Sequence, residues 1–597
     1  MRQPKAPTVS SGTARALLLL LGVTALALSP VLFADFIRLD DQSHLFDNPH
    51  LRHATGASLV ALWTKPFFNL YVPLTYSVWW LLALVGGLGR QSAWLFHALN
   101  LGLHLGNTAL VFLLMRTILR MRQKTEQQGI ATIAVVATFV FALHPLQVET
   151  VAWVSELKGN LSMMFGLLGL LWHCRSGKRT LTGLFFLAAM LAKPSAIVFP
   201  GVVFLVNRIL LGKSLRQSAL MPAIYGALLL PFVFWTKSLQ PDLNLDFIPT
   251  FGQRLAVAAD AFAFYVRKVL VPYPLIVDYG RSPGFVLDHV PAWQLVLSGL
   301  FLLAGLGLVG KALLRPRPLA EAPTPEHDWQ PLVLCGSALF LLAIAPVLGL
   351  IPFGFQTFST VADHYLYVPM LGISLAVAGL LLRLRATRHA PKFAAGVLAI
   401  FAVLSFVQAR QWKGTESLFT RTLQVNPQSY LCAFSIGDEL LRSGHPEQGL
   451  PWLQRSMAIN PQYLEAQISL GMALVHLGEI DAAIEHYQTN LAKNPSTVGV
   501  RGRSVASLHN NLGLLLLQVG REDEAVEQFR TAVQIHPRSL NAHLNLGNYA
   551  MAHQRFGDAV AEYEKALALG PNPGLAQRLA FARAKAQETE RAQTPSP

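Results

Sequence analysis

Residues 16–51 read ALLLLLGVTALALSPVLFADFIRLDDQSHLFDNPHL, an apolar run that ends in two adjacent carboxylates, Asp40 and Asp41. The run is long enough to cross a hydrocarbon core of roughly 30 Å. Acidic side chains this close to a bilayer are costly unless they do something. The stretch therefore predicts a membrane fold and a candidate site together. Arg2, Lys5 and Arg15 precede the run, as they would in a secretion signal, but a cut after Ala34 would put Leu32 where a small residue is required. The run reads as an uncleaved anchor that keeps the Asp pair attached.

Beyond this stretch, the chain has 597 residues, 52% of them hydrophobic and 14% charged. An average soluble domain has roughly 25% charged residues. The deficit lies in residues 16–408, where apolar runs recur; residues 410–597 are polar and helical in pattern. The expected fold class is all-α, with a polytopic membrane domain over 1–409 and a soluble helical domain over 410–597. The net charge of +15 divides the same way: residues 410–597 carry 17 basic and 17 acidic side chains, so the whole excess lies in the membrane half. A basic balance often points to nucleic acid. Here it sits in short loops between apolar runs, and the positive-inside rule explains it without a nucleic-acid partner. Cys174, Cys335 and Cys432 have neither disulfide nor metal spacing.

Five loops carry the basic clusters: Arg116, Arg120, Arg122 and Lys124; Arg175, Lys178 and Arg179; Arg208, Lys213 and Arg216; Lys311, Arg315 and Arg317; Arg383, Arg385, Arg388 and Lys392. Placing them all on the inner side predicts about 11 spans, near 16–34, 93–115, 130–144, 160–173, 180–192, 196–211, 219–236, 293–312, 332–350, 369–382 and 393–409. Residues 73–88 and 254–273 are then interfacial helices. An odd count sets residues 410–597 on the outer side, with the Asp pair.

The soluble half is periodic. Asn426-Pro427, Asn460-Pro461, Asn494-Pro495, His536-Pro537 and Gly570-Pro571 mark intervals of 34, 34, 42 and 34 residues, the long one holding an insertion near 496–503. Ten positions after the proline stand Gly437, Gly471 and Gly547, with Gly513 at the same place once the insertion after Pro495 is allowed for, and twelve further on stand Gly449, Ala483, Ala525 and Ala559. Small residues at these two points let the helices of a hairpin approach closely. The unit resembles the tetratricopeptide repeat (TPR), with a capping helix from Gly574, and such arrays stack into an α-solenoid with a concave groove. The resemblance implies protein or peptide binding, and places Asn510, Asn541 and Asn548 in the groove, where their amides would pair with an extended peptide. Ordinary solvated helix surface is the alternative for those three.

Polar residues gather in five outer stretches. RLDDQSHLFDNPHL (38–51) carries the Asp pair; HPLQVETVAWVSELKGNLS (144–162) carries His144, Glu149, Glu156 and Lys158; LAKPSAIVFP (191–200) carries Lys193; VADHYLYVP (361–369) carries Asp363, His364 and Tyr365; VPYPLIVDYG (271–280) carries Asp278. This set suits group transfer from a lipid-linked phosphate, where a carboxylate takes the proton of an acceptor hydroxyl. Lys or Arg would neutralise the phosphate, and the candidates are Lys158, Lys193, Arg254, Arg267, Lys268 and, when protonated, His364. A transporter's proton relay fits less well, because the spans are nearly free of charge. No HExxH or paired-His spacing supports a metal, and use of a divalent cation stays open. Structural alternatives stand beside each reading: Asp40 and Asp41 as helix caps, His144 as a turn former, Lys193 as a snorkelling lysine, and Asp363 with His364 as an internal pair.

In order and wording, DDQSHLFDNPHL, HPLQVETVAWVSELKGNLS, LAKPSAIVFP, PVLGLIPFGFQTFSTVADHYLYVP (346–369) and WKGTESLFTRTLQVNP (412–427) resemble the GT-C class glycosyltransferases with TPR domains, the transmembrane and TPR-containing O-mannosyltransferases and their bacterial relatives. The resemblance implies a GT-C-like membrane domain, a polyprenyl or dolichyl phosphate sugar as donor, and protein Ser or Thr as acceptor recruited by the repeats. It implies a base or acceptor-orienting role for Asp40 and Asp41, and matches the second loop at His144 and Glu149. The chain departs from the family at Val72, at Leu157 and Gly159, and at His364, where relatives carry Arg, Arg, Asp and Arg. The nearer likeness to the bacterial relatives implies a cytoplasmic membrane with periplasmic repeats, the alternative being the endoplasmic reticulum with lumenal repeats. From a different class, a non-catalytic membrane-anchored TPR scaffold for envelope protein assembly is the alternative function.

Overall fold

The computed structural model describes residues 11–122, 127–176, 179–239, 248–314, 328–384, 389–493, 500–569 and 573–593. Lys124, Lys178, Arg315, Arg317, Arg385, Arg388, Asn494, Pro495, Gly570 and Pro571 lie outside them. Among the described residues the protein is helical, with no strand and one isolated bridge between Phe67 and Leu70. It divides into two compact units, Met1–Pro427 and Gln428–Pro597. The helix Thr415–Val425, grouped with the repeats in the sequence, falls in the first unit, where Arg38 N–H donates to Thr415 Oγ1 and Asp35 N–H to the Lys413 carbonyl.

By length and composition, six helices of the first unit can cross a membrane: Gly12–Phe33, Arg90–Met121, Leu215–Ser238, Ala292–Leu314, Gln330–Val347 and Lys392–Gln411. A seventh is the pair Gly129–Leu143 and Pro145–Ala152 if the two, bent by 51°, form one span. Pro73–Gly86, Arg179–Ala192, Pro194–Leu210 and Pro369–Leu384 are apolar but shorter. The stretch 160–173 lies in the helix Leu157–Ser176. All 11 expected stretches are thus wholly or mainly helical, while six or seven meet the length and composition of a full span. Residues 254–273 lie mostly in an amphipathic helix, Phe251–Leu270, whose Asp260 is buried against Arg281 in a two-pronged ion pair of 3.0 and 2.5 Å. Close packing depends on small residues: a Cβ at Gly336 or Gly372 would lie 2.4 Å from the other's carbonyl oxygen, so the helices Gln330–Ile344 and Pro369–Leu384 touch backbone to backbone.

The second loop breaks the regular helix twice. The chain bends at His144-Pro145 and is interrupted again at Trp153 before it resumes at Leu157. Each break frees carbonyls that must find donors where water is scarce. A buried stripe on the helix Ala93–Arg122 lines this segment: it covers the Ala142 carbonyl freed at the first break and adds a second donor at Trp153, which already takes Glu156 N–H, and at Asn160 inside the resumed helix. Asn100 donates to the Trp153 carbonyl (2.8 Å), His104 Nε2 to that of Ala142 (3.1 Å) and Asn107 to that of Asn160 (3.0 Å). Asn107 also donates to the Tyr367 hydroxyl, which in turn donates to His104 Nδ1. Ser405 covers the Leu143 carbonyl at 2.8 Å. The first loop has its own apolar core, with Leu45, Tyr76, Trp79 and Phe96 buried.

In the second unit the helices pair as Tyr430–Arg442 with Pro446–Ile459, Leu464–His476 with Ile480–Lys493, Val500–Gln518 with Glu522–Ile535, and Leu540–Ala552 with Phe556–Leu569, followed by Pro573–Gln593. The expected small residues sit at the crossings. A Cβ at Gly471 would meet the Tyr487 ring at 2.2 Å, while Ala483, Ala525 and Ala559 are fully buried.

The stripe predicts its own test. Asn107→Leu strips donors from a buried carbonyl and hydroxyl, and should lower stability by about 1–3 kcal/mol. Thermal unfolding of the detergent-solubilised chain would show it, and an unchanged midpoint would argue against the stripe's role.

Candidate functional site

The two adjacent aspartates are held in opposite ways. Asp41 is fully buried. One carboxylate oxygen accepts from Ile37 N–H (3.0 Å), and the other from Ser155 N–H (2.9 Å) and Ser155 Oγ–H (2.5 Å). It precedes the short helix Gln42–Phe46 yet makes no side-chain cap, so the capping alternative does not hold for it. It clasps the first loop to the second across 114 residues of chain. Asp40 points elsewhere. Its side chain is 47% exposed although ringed by protein, and Lys158 Nζ lies 3.4 Å from Oδ2. Ser155 in the clasp lies in the short 3-10 turn Val154–Glu156, and Lys158 stands three residues on, in the first turn of the helix Leu157–Ser176 that follows directly. The clasp therefore sets where Asp40 meets its lysine.

Beside this pair the other loops converge. Lys193, just after the helix Arg179–Ala192, reaches Glu156 at 2.8 Å. Gly159 makes room for the contact, because a Cβ there would sit 2.5 Å from Glu156 Oε2. His364 Nδ1 lies 2.6 Å from Glu149 Oε1, with the Trp153 ring edge-on to the imidazole. Tyr365 lies within electrostatic reach of Glu156, Glu149 and Asp40. Asp363 does not pair with His364; it accepts from the Tyr279 hydroxyl at 2.9 Å. Four of the five polar stretches thus meet around Asp40, Glu149, Glu156 and Tyr365, and the fifth joins through Tyr279.

The remaining candidates lie apart or are already engaged. His144 accepts from Leu146 N–H and contacts the Val269 carbonyl at 3.0 Å, which uses both ring nitrogens in fixing the bend. Lys268 is 1% exposed, donates to the Pro274 carbonyl and lies 4.8 Å from the centre of the Tyr279 ring. Arg267 is exposed over Phe264, and Arg254 bonds the Pro249 carbonyl at the far end of the same helix. Asp278 is buried and closes a turn on Gly280 N–H. In the repeats, Asn510 accepts from Asn545, Asn548 accepts from Tyr563 and Arg578, and Asn541 is exposed. The first two serve bonds within the array. Among the described residues no group of three or more His, Cys, Asp or Glu could hold a metal ion.

Electrostatics separates the acids further. Burial pushes Asp40 up, but Lys158 outweighs it by charge and hydrogen bond and holds the carboxyl below its ordinary value. Burial raises Asp41 to about 6 against the pull of its three donors. Burial likewise raises Glu156, and Lys193 overrides it. Asp363 lies well above the ordinary range through burial and the nearby charge of Glu149. Burial lowers Lys268 to about 8.

Two stretches of the chain, 462–538 and 504–591, match tetratricopeptide repeat families. Protein O-mannosyl-transferase TMTC4 of Mus musculus is 23% identical over 405 residues, 59% of this chain and 53% of that protein. Protein O-mannosyl-transferase F38B6.6 of Caenorhabditis elegans is 21% identical over 462 residues, 74% of this chain and 62% of that protein. The chain is similar to the protein O-mannosyl-transferases. It spans just over half the length of these curated relatives. Among solved structures, the thermophilic TPR protein TTC0263 of Thermus thermophilus is 23% identical, with a TM-score of 0.25, covering 33% of this chain and 99% of that one.

Sequence reasoning missed Ser155, the Asp260–Arg281 pair and the stripe of His97, Asn100, His104 and Asn107. The stripe had a legible signal: buried polar residues at helical spacing inside an apolar span. Ser155 had none, since a serine beside a glutamate is unremarkable until the fold brings Asp41 to it.

Asp41 carries a testable pH dependence. Its folded-state value of about 6 lies above its ordinary 3.8, so the folded protein holds the proton more tightly. The stability it contributes is complete below about 4 and is lost as pH rises through about 6, a span of about 3 kcal/mol. Thermal unfolding from pH 4 to 7 should show that slope in the wild type and a flatter profile in Asp41→Asn. Parallel profiles would refute the assignment.

Proposed function

We propose that the protein is a membrane-embedded glycosyltransferase that moves a sugar from a polyprenyl or dolichyl phosphate to Ser or Thr hydroxyls of proteins. The observation that carries the reading is Asp40: a half-exposed carboxylate, kept ionised beside Lys158, where loops distant in sequence meet. The likeness to protein O-mannosyl-transferases supports it. Asp41, with every oxygen engaged by the fold, holds the loop and leaves the base role to Asp40.

In the step this assigns, the acceptor hydroxyl gives its proton to Asp40 as its oxygen bonds to the sugar's anomeric carbon. The bond from that carbon to the phosphate oxygen breaks, and the electron pair leaves with the phosphate. Lys158 and Lys193 offset the charge that develops there; His364, when protonated, adds to them. Glu156 and Glu149 keep Lys193 and His364 oriented between turnovers. Lys268 stands behind Asp363 and Tyr279 and supports the loop. The repeats present acceptor proteins, raising their local concentration, at a membrane whose outer face in a bacterium is periplasmic.

The test is transfer of sugar from a polyprenyl-phosphate donor to acceptor peptides by purified full-length protein, with glycopeptides read by mass spectrometry. Asp40→Asn should reduce turnover by about a thousandfold or more, within the range of general-base removal. Lys158→Gln should weaken donor use by about tenfold or more. If Asp40→Asn transfers sugar like the wild type, the base assignment fails. If the wild type itself transfers none and host glycopeptides are unchanged in a deletion strain, the scaffold alternative stands.

A further inference from the structure

The helices Ala93–Arg122 and Leu157–Ser176 both pass the candidate site near one end and carry arginines toward the other. Lys158 and Arg175 are 17 residues apart on one helix, about 25 Å at 1.5 Å per residue. At that far end the ends of three helices and the turn after Leu210 bring cations together. Arg116 and Arg120 occupy one helix face, four residues apart, where like charges repel. Arg175 bonds Thr117 Oγ1 at 3.3 Å and lies within electrostatic reach of Arg116. Cys174 stands near both Arg175 and Lys213, and Lys213 near Arg179, which joins the two groups.

The cluster is fixed in place by neutral oxygens. Arg116 donates to Thr13 Oγ1 at 2.8 Å. Lys213 donates to the buried Asn207 Oδ1 at 2.7 Å, and His173 contacts the same oxygen at 3.2 Å. Among the described residues, none of Arg116, Arg120, Arg175, Arg179 and Lys213 has a carboxylate in ion-pair distance. The fold thus collects five cations and holds them against their mutual repulsion, which an anion at the centre would relieve.

We propose that this cluster binds the phosphate headgroup of an anionic phospholipid. Guanidinium forks match phosphate oxygens, and basic pockets between membrane helices are where such headgroups lodge. The surroundings favour a lipid over free phosphate. The apolar helix Arg179–Ala192 begins at Arg179 and exposes Leu184 and Leu187, a surface for acyl chains just below the charges.

The full chain, purified in detergent, would be titrated with phosphatidylglycerol, phosphatidylcholine or inorganic phosphate, and followed by native mass spectrometry and thermal unfolding. The proposal expects phosphatidylglycerol to be retained and to raise the unfolding midpoint, with no shift from the other two. Arg120→Gln with Arg175→Gln should weaken retention about tenfold and, with less repulsion to hold, should not lower the midpoint in phosphatidylcholine. If that double variant does not fold, the exposed Arg179→Gln should weaken retention at least about threefold. Equal retention of both lipids, or variants that bind like the wild type, would overturn the proposal. A full shift from inorganic phosphate alone would mark a free-anion site and overturn the lipid assignment.

Discussion

Hydrogen bonds from a buried polar stripe to the carbonyls of a broken helix make the rest of the membrane unit possible. Helices can span a bilayer because each satisfies its own backbone. The chain gives that up between His144 and Leu157, and in exchange gains an irregular segment carrying Glu149, Ser155, Glu156 and Lys158. From a neighbouring helix His104 covers a carbonyl freed at the first break, Asn100 and Asn107 add further bonds at Trp153 and Asn160, and Tyr367 ties the stripe to the loop that bears Asp363 and His364. The polar residues inside the apolar span and the polar residues outside it are therefore one system.

On that platform, adjacent aspartates take different tasks because their surroundings differ. Three donors and complete burial commit Asp41 to the fold. A single lysine and partial exposure leave Asp40 an ionised oxygen turned toward the converging loops. Position in the sequence cannot separate two neighbours of the same type; hydrogen-bond supply and exposure do. The same logic sorts the lysines. Lys158 and Lys193 balance carboxylates at the converging loops, whereas Lys268 is enclosed and donates to a carbonyl.

Much of this was legible in the residues. The 34-residue period named the repeats, and Gly471 and Ala483 proved to be the crossings of a helix hairpin. The convergence of the five polar stretches was foreshadowed by their unusual polar content. What stayed hidden depended on three-dimensional partners. Ser155 becomes significant only when Asp41 arrives, Asp260 only when Arg281 does, and Asn510 and Asn548 look like groove ligands until Asn545, Tyr563 and Arg578 claim their oxygens. Hydropathy alone also left the number of spans undetermined, because helices such as Arg179–Ala192 and Pro369–Leu384 are apolar yet short.

If the two aspartates divide their tasks in this way, Asp40 faces the sugar, and lysines from the second and third stretches face the phosphate. An experimental structure of the full chain with a non-transferable polyprenyl-phosphonate sugar would decide between the neighbours. The phosphonate should lie within hydrogen-bond distance of Lys158 or Lys193, with the Asp40 carboxylate turned to the anomeric carbon and Asp41 still bound to Ser155. A phosphonate seated away from these loops, or an Asp41 released from Ser155 and turned to the sugar, would show the division of roles to be wrong.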